Sequence, residues 1–330
     1  MRFDLPLSAT TLRSLILLLV IHAQLAIWQP NLRQLEAQED VIQTAPESVI
    51  EKWEFGLEIS SDGNAAGVLA SVPVPIEWPE QSIEILKEND DSPITRLSYK
   101  KIGKNAKQLI IKINRMHPGD IVVGSVIMEI EKSTIEVPDS TAELRFPTRS
   151  ETRKFSRYLE PSPYIESRHP RIKELAAGLE IDESATPWEQ TRSIFEWVRD
   201  NITYEFDPTI RTCLEALDRE QGDCEEMSSL FIAICRARGI PARAVWIPDH
   251  TYPEFCLLDE AGDPHWFPCQ VAGEYEFGSM NETKPILQKG DKFKIAGHQN
   301  ELRYIQPTLT AKDHDIPPTV KWVMRKIEDE

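Results

Sequence analysis

Positive charge is in short supply in this 330-residue chain: 37 lysines and arginines stand against 54 aspartates and glutamates, a formal net charge of −17. That balance argues against nucleic acid or an anionic membrane surface as a partner, since both recruit basic patches. Much of the acidity reads as a solvated surface. Cysteine is scarce as well. Five in so long a chain do not make a disulfide scaffold, and the odd count leaves at least one thiol unpaired. No Cys-x-x-Cys pair, phosphate loop, dinucleotide fingerprint, internal repeat or low-complexity segment occurs. Long apolar runs are missing too: Leu15–Ile21 is continuously apolar but short for a transmembrane span.

What is there reads as a two-domain globular chain, with 41% hydrophobic and 28% charged residues. Met1–Trp28 has the layout of an export signal: Arg2 and Arg13, the apolar run, then small Ala23 or Ala26 near a cleavage point. The expected location is the periplasm or outside the cell, with an uncleaved anchor over residues 12–28 and a buried helix as the alternatives. Residues 29–48 are polar and acidic and read as a linker.

Residues 49–147 read as an all-β, sandwich-like domain. In Trp53-Glu-Phe55-Gly-Leu57-Glu-Ile59 every second residue is apolar, as in a strand with one buried face. Further strands are expected at Gly67–Ile76, Ser82–Leu86, Leu109–Asn114 and Ile121–Val137, the last as two strands or one bent at Gly124. Pro73 and Pro75 remove alternate donors and place their segment at a sheet edge. Lys100, Lys101, Lys104 and Lys107 read as a solvated basic loop, and no catalytic cluster occurs in this domain.

Residues 148–185 connect the halves, with a short helix expected from Pro170 to Leu179. Thr186-Pro-Trp-Glu189 is a capping-box arrangement with proline at N1, a helix start. Cys213–Arg219 reads as another short helix. Helices followed by strands make residues 186–330 an α+β domain with a C-terminal extension, in which Val320–Ile327 reads as a terminal helix.

The stretch GDCEEMSSLFIAICRARGIPARAV, Gly222 to Val245, organises this half. Asp223 can cap a helix whose apolar stripe is Met227, Leu230, Phe231, Ile234 and Cys235, and Gly239 and Pro241 end it. Cys235 lies on the stripe and reads as core. Cys224 lies in the first turn, where free N–H groups and the helix dipole favour a thiolate while Glu225 and Glu226 oppose it. Further on, Phe255–Leu258, a turn at Asp259–Asp263 and His265–Val271 read as a hairpin with His250 at its start. A Cys–His pair is nucleophilic chemistry: the imidazole takes the thiol proton and returns it to the leaving group. A third group must hold the ring. Glu254 is about 13 Å along the strand and too far. Gln270, on the returning strand, can accept from Nδ1–H but brings no charge to favour the imidazolium.

Together these residues resemble the transglutaminase-like superfamily of papain-related Cys–His enzymes. The resemblance runs from Thr186 to about Val271, on GDCEE…LF…CRARGIPARAV, on H-x-Y-x-E-F from His250, and on W-F-P-C-Q from Trp266 to Gln270. WVRDNITY, Trp197 to Tyr204, resembles the helix that precedes the nucleophile in this family, and the β-domain resembles the sandwich modules that often precede such domains. The resemblance implies Cys224 as nucleophile and His250 as general base. The family's third position, usually Asp in W-x-P-x-D, is Gln270 here. The Cys224 N–H is the implied oxyanion donor.

The expected function is a cysteine peptidase or amidase acting on protein or peptide amides through an acyl-enzyme, or a transamidase if an amine replaces water. No cofactor is expected, and the partner is a protein or peptide substrate. The competing reading is a non-catalytic exported module that binds peptide or glycan in the same cleft, suggested by Gln270 and the Glu225–Glu226 pair. A metal site from His250, Cys256, His265 and Cys269, and a Cys256–Cys269 disulfide, are the remaining alternatives.

Overall fold

The computed structural model describes residues 47–89, 95–295 and 297–328. The expected export signal, and all of the expected linker except its last two residues, lie outside the described residues. The described residues fall within one compact unit, Pro46–Glu330. Among them no helix is long and apolar enough to cross a membrane.

The first half folds as strands β1 (Ser48–Ser60), β2 (Ala65–Val74), β3 (Gln81–Asn89), β4 (Thr95–Ile102), β5 (Ala106–Met116) and β6 (Ile121–Ser133). Phe55, Leu57 and Ile59 on β1 are fully buried, as their alternation requires. They meet Leu109, Ile111 and Ile113 of β5 and Val126 and Met128 of β6 in the sandwich core. Each such side chain contributes about 1.5–3 kcal/mol by leaving water. β6 is one unbroken strand, paired with β1 from Ser48↔Ser133 to Ser60↔Ile121.

Two expectations are corrected here and a third is narrowed. The lysine-rich stretch is a hairpin rather than a loop: Lys100 and Lys101 end β4, and Lys107 on β5 lies 4.4 Å over the Tyr99 ring. β2 is not an edge strand over most of its length, although it is one at Pro73. β2 is flanked by β5 on one side and by two short strands, β13 (Thr308–Thr310) and β14 (Asp313–His314), on the other, but that second flank stops at Ser71. The proline therefore sits where no donor is needed. The terminal helix is instead strand β15 (Thr319–Ile327), antiparallel to β1 with Trp322 opposite Leu57. A nine-residue apolar-polar mixture fits both periods, and the open edge of β1 decides between them.

The second half supplies a 3-10 helix (Glu151–Tyr158) and helices α1 (Pro170–Gly178), α2 (Pro187–Asn201), α3 (Cys213–Arg219) and α4 (Cys224–Ala237). Thr186 caps α2 by accepting from Glu189 N–H, but the Glu189 carboxylate turns to Arg192, so the box is half made. Short strands β7 (Thr203–Tyr204) and β8 (Gln221–Gly222) pair in parallel. Next come β9 (Ala242–Ile247), β10 (His250–Leu258), β11 (Pro264–Pro268) and β12 (Gln288–Lys289). One nine-stranded sheet runs β11-β10-β9-β12-β5-β2-β13, with β4 and β14 at its sides. Gln288 pairs with both Ala106 and Trp246, so the two-residue β12 stitches the sandwich to the hairpin. The C-terminal segment thus belongs to both halves, although sequence order groups it with the second.

α4 is buried on all sides, not on one stripe: α1, α2 and α3 pack round it, and β9 and β10 lie beneath it. Its buried Arg236 is fully engaged, donating to Ala242 O, Glu160 O, Ser162 Oγ and, at 2.7 Å, to Asp291. Under the hairpin, Trp188 makes edge-on contacts with Phe255, Phe267 and Phe277 at ring separations of 5.0–5.7 Å. Gly278, at φ 76°, lies against that indole; a Cβ there would stand 2.1 Å from it.

Candidate active site

The start of α4 is built by a complete capping box. The Asp223 carboxylate accepts from Glu225 N–H (2.7 Å) and Glu226 N–H (3.4 Å), and the Glu226 carboxylate accepts from Asp223 N–H at 2.9 Å. Glu226 also accepts from Arg211 N–H at 2.8 Å, which ties in the loop before α3. Gly222 is required by closeness: a Cβ there would stand 2.8 Å from the Glu226 Cβ. The second glutamate, Glu225, is ion-paired with Arg303. Sequence reasoning weighs both carboxylates only as charges against the thiol. Their geometry shows one to be a cap and the other a docking point for the C-terminal segment.

Cys224 occupies the first position of α4 and is half-buried, whereas Cys213, Cys235, Cys256 and Cys269 are buried outright. Its sulfur accepts from the backbone N–H of Thr251. One turn on, Ser228 Oγ donates to the Thr251 carbonyl at 3.4 Å. Residues four apart on a helix share a face, so Cys224 and Ser228 grip the N–H and the C=O of one residue, Thr251, which follows His250. Burial pushes the Cys224 thiol up to about 12; the Thr251 N–H lowers it, and Asp223, Glu225 and Glu226 raise it further. The helix dipole, which sequence reasoning counts in favour of a thiolate, does not win. Tyr204, at the β7 edge beside Gly222, has its phenol raised by burial first and then by its nearness to Cys224 and Asp223.

His250 is the first residue of β10, reached from β9 by the two-residue turn Pro248–Asp249. Asp249 takes φ 59°, a conformation that Asp tolerates better than most side chains. The His250 ring is held by Gln270: Nε2 and the amide Oε1 are 2.9 Å apart. The expected contact was to Nδ1, so the ring is turned over relative to that expectation. The reason is the register of the hairpin, in which Glu254 faces Pro268 and Gln270 lies just past the end of β11. With Nε2 donating to Gln270, Nδ1 of the neutral ring carries the lone pair.

Gln270 is itself held. Its Nε2 donates to Met280 Sδ at 3.7 Å and its backbone N–H to Glu276 O at 2.9 Å. Arg199, from the WVRDN stretch of α2, donates to the carbonyls of Gln270 (2.6 Å), Gly273 (3.0 Å) and Glu274 (3.1 Å). Sequence reasoning missed this clamp; nothing in the spacing of Arg199 from Gln270 announces it. Glu254 is occupied elsewhere, buried in an ionic cluster with Arg243 (2.7 Å) and Lys289 (2.5 Å) that keeps its carboxyl below the ordinary value.

The alternatives fare differently. All five cysteines are free, so Cys256 and Cys269 are not bridged. Cys256 packs with Phe155 and Leu258, Cys269 joins the helix-sheet core, and His265 faces Asp259 at 3.0 Å. The four residues of the metal reading therefore point apart. Among the described residues no three His, Cys, Asp or Glu side chains are grouped to hold a metal ion.

The helix-mouth Cys224 thus lies against the strand that presents His250, whose ring meets the amide of Gln270. Residues 173–271 match the family model of the Transglutaminase-like superfamily. No curated protein matches the chain significantly. Among solved structures, the chain is similar to one called a "Putative Cysteine Protease" from Cytophaga hutchinsonii, at 14% identity and TM-score 0.55, covering 87% of this chain and 94% of that one. A "Putative Protease" from Parabacteroides distasonis ATCC 8503 superposes with TM-score 0.28 at 15% identity, covering 71% of this chain and 48% of that one. The chain therefore carries a transglutaminase-like domain of mixed α+β fold with a strand-rich region ahead of it.

Proposed function

We propose that the protein is an exported thiol hydrolase that cleaves protein or peptide amides through an acyl-enzyme at Cys224. The observation that carries this reading is the 2.9 Å contact between His250 Nε2 and Gln270 Oε1, on a strand whose next N–H meets the Cys224 sulfur. In this reading His250 Nδ1 takes the Sγ proton as sulfur attacks the carbonyl carbon. Asp223 occupies the N–H groups of Glu225 and Glu226, and the Cys224 N–H is assigned to the oxyanion. The imidazolium then protonates the departing amine as the C–N bond breaks. Water, deprotonated by the same imidazole, releases the acid and restores the thiol. A thiol at about 12 rests neutral, so the base acts in the attack step and not beforehand.

That same raised thiol favours a second reading, a peptide- or glycan-binding module that does no chemistry. Alkylation separates the two. With iodoacetamide at pH 8, Cys224 is expected to label before the four buried cysteines, and His250→Ala is expected to slow it at least about tenfold. Turnover of a fluorogenic amide set is expected to vanish in both Cys224→Ala and His250→Ala. Uniform labelling of all thiols, unaffected by His250→Ala and without turnover in the native chain, leaves the binding module.

A further inference from the structure

A groove of about 750 Å³ is lined in part by Arg303, the ion-pair partner of Glu225 in the first turn of α4. Leu69 and Ile110, on the sheet face turned away from the sandwich core, make one wall; Tyr164, Ile210, Arg303 and Tyr304 make the other. Its volume suits a ligand, and it lies where two halves of a chain meet, a common place for one.

Three observations connect it to Cys224. Arg303 is ion-paired with Glu225, the next residue, and its guanidinium lies 5.0 Å from the Tyr164 ring and 5.2 Å from the Trp246 ring. Tyr304 packs on Trp246, which faces Thr251 across β9 and β10, with ring centroids 4.9 Å apart. Ile210 precedes Arg211, whose N–H is bound by the capping Glu226. The groove wall is thus fastened to the turn that carries the thiol.

Large apolar side chains stand exposed in the lining and on the neighbouring segment. Leu69, Tyr164 and Ile210 are 43%, 37% and 40% exposed, and Tyr204 and Phe206, on the chain running past Cys224, are 54% and 72% exposed. Tyr164 also takes φ 69°, a left-handed conformation that a bulky side chain enters only when its surroundings hold it there. In a chain of net charge −17, Lys100 stands exposed at the rim beside His298, and the single acidic lining residue, Glu301, is directed to Lys292 at 3.6 Å.

We infer that this groove is a substrate subsite that takes an extended peptide segment, seating a bulky apolar side chain between Ile210 and Leu69 and a carboxylate at the Lys100–His298 rim. The inference rests on the amide-cleaving reading, which supplies the peptide. It commits to an acidic-apolar polypeptide because Leu69, Ile110 and Ile210 offer apolar contact, Lys100 stands at the rim, and Arg303 and Tyr304 tie the groove wall to the turn that carries the thiol.

The test uses the full chain carrying Cys224→Ala and three fluorescein-labelled decapeptides on a Gly-Ser background: one with Phe and Glu, one with Ala and Glu, one with Phe and Lys. Anisotropy is expected to show the Phe-Glu peptide binding at least tenfold more tightly than the other two. Ile210→Lys and, independently, Leu69→Lys are expected to lose that preference. In the native chain the Phe-Glu peptide is expected to slow iodoacetamide labelling of Cys224. Equal binding of all three peptides, no binding, or preference intact in both groove variants overturns the subsite. If Cys224 proves inert and no amide is turned over while the preference persists and is lost in the groove variants, the subsite stands and the enzymatic reading fails.

Discussion

At the scale of single residues the departure at Gln270 has the sharpest consequence. A carboxamide can hold the His250 ring but cannot stabilise its charged form as a carboxylate would. Gln270→Leu is expected to cut kcat about 10–100-fold with little change in binding of an uncleavable peptide, since the ring loses its orienting acceptor. Gln270→Asp is expected to keep activity. An adjacent anion favours the imidazolium and raises the His250 pKa, and the base must be neutral to act. The acidic limb of the pH–rate profile is therefore expected to move to higher pH. An unimpaired Gln270→Leu enzyme would show the 2.9 Å contact to be idle.

At the scale of elements, α2 governs the site from a distance. Arg199 fastens the loop from Gln270 to Glu274 by three carbonyls, stacked between Phe195 and Tyr275 at 5.5 Å from each ring. Arg199→Ala is expected to lower kcat about tenfold or more, since small misplacements of positioning groups are costly. KM and the unfolding midpoint are expected to move far less, and Arg199→Lys to recover part of the loss. A variant with kcat intact would mean that the hairpin and Met280 suffice to place Gln270.

At the scale of the whole molecule, the thiols shape alkaline stability. Burial pushes Cys224 and Cys256 up to about 12 and lifts Cys213, Cys235 and Cys269 further, from an ordinary 9.0. The folded chain holds these protons more tightly than the unfolded one. Their stabilisation is complete below about pH 9 and is lost as pH rises towards 12. Buried Lys132 works the other way: lowered from 10.5 to about 8, it adds stability as pH rises between those values. Five groups outweigh one, so urea unfolding midpoints are expected to fall steadily from pH 9 to 11. A flat profile would show the thiols to be solvated.

What the sequence determined by itself was local. Asp223, Gly222 and the stripe from Met227 to Cys235 specify a capped helix because capping and periodicity act within a few residues. The alternation from Trp53 to Ile59 and the turn chemistry at Asp259–Asp263 specify strands and a hairpin for the same reason. That is why the cysteine at a helix mouth and the histidine at a strand start were legible in one dimension. The tertiary structure decided the rest. It turned Val320–Ile327 into a strand, because only the fold reveals the open edge of β1. It set which nitrogen of His250 meets Gln270, through the register of β10 and β11. It brought Arg199 to residues some seventy positions away in sequence, and Arg303 to Glu225. It decided the Cys224 thiol as well, because burial, which only the folded chain supplies, raises it more than the Thr251 N–H lowers it.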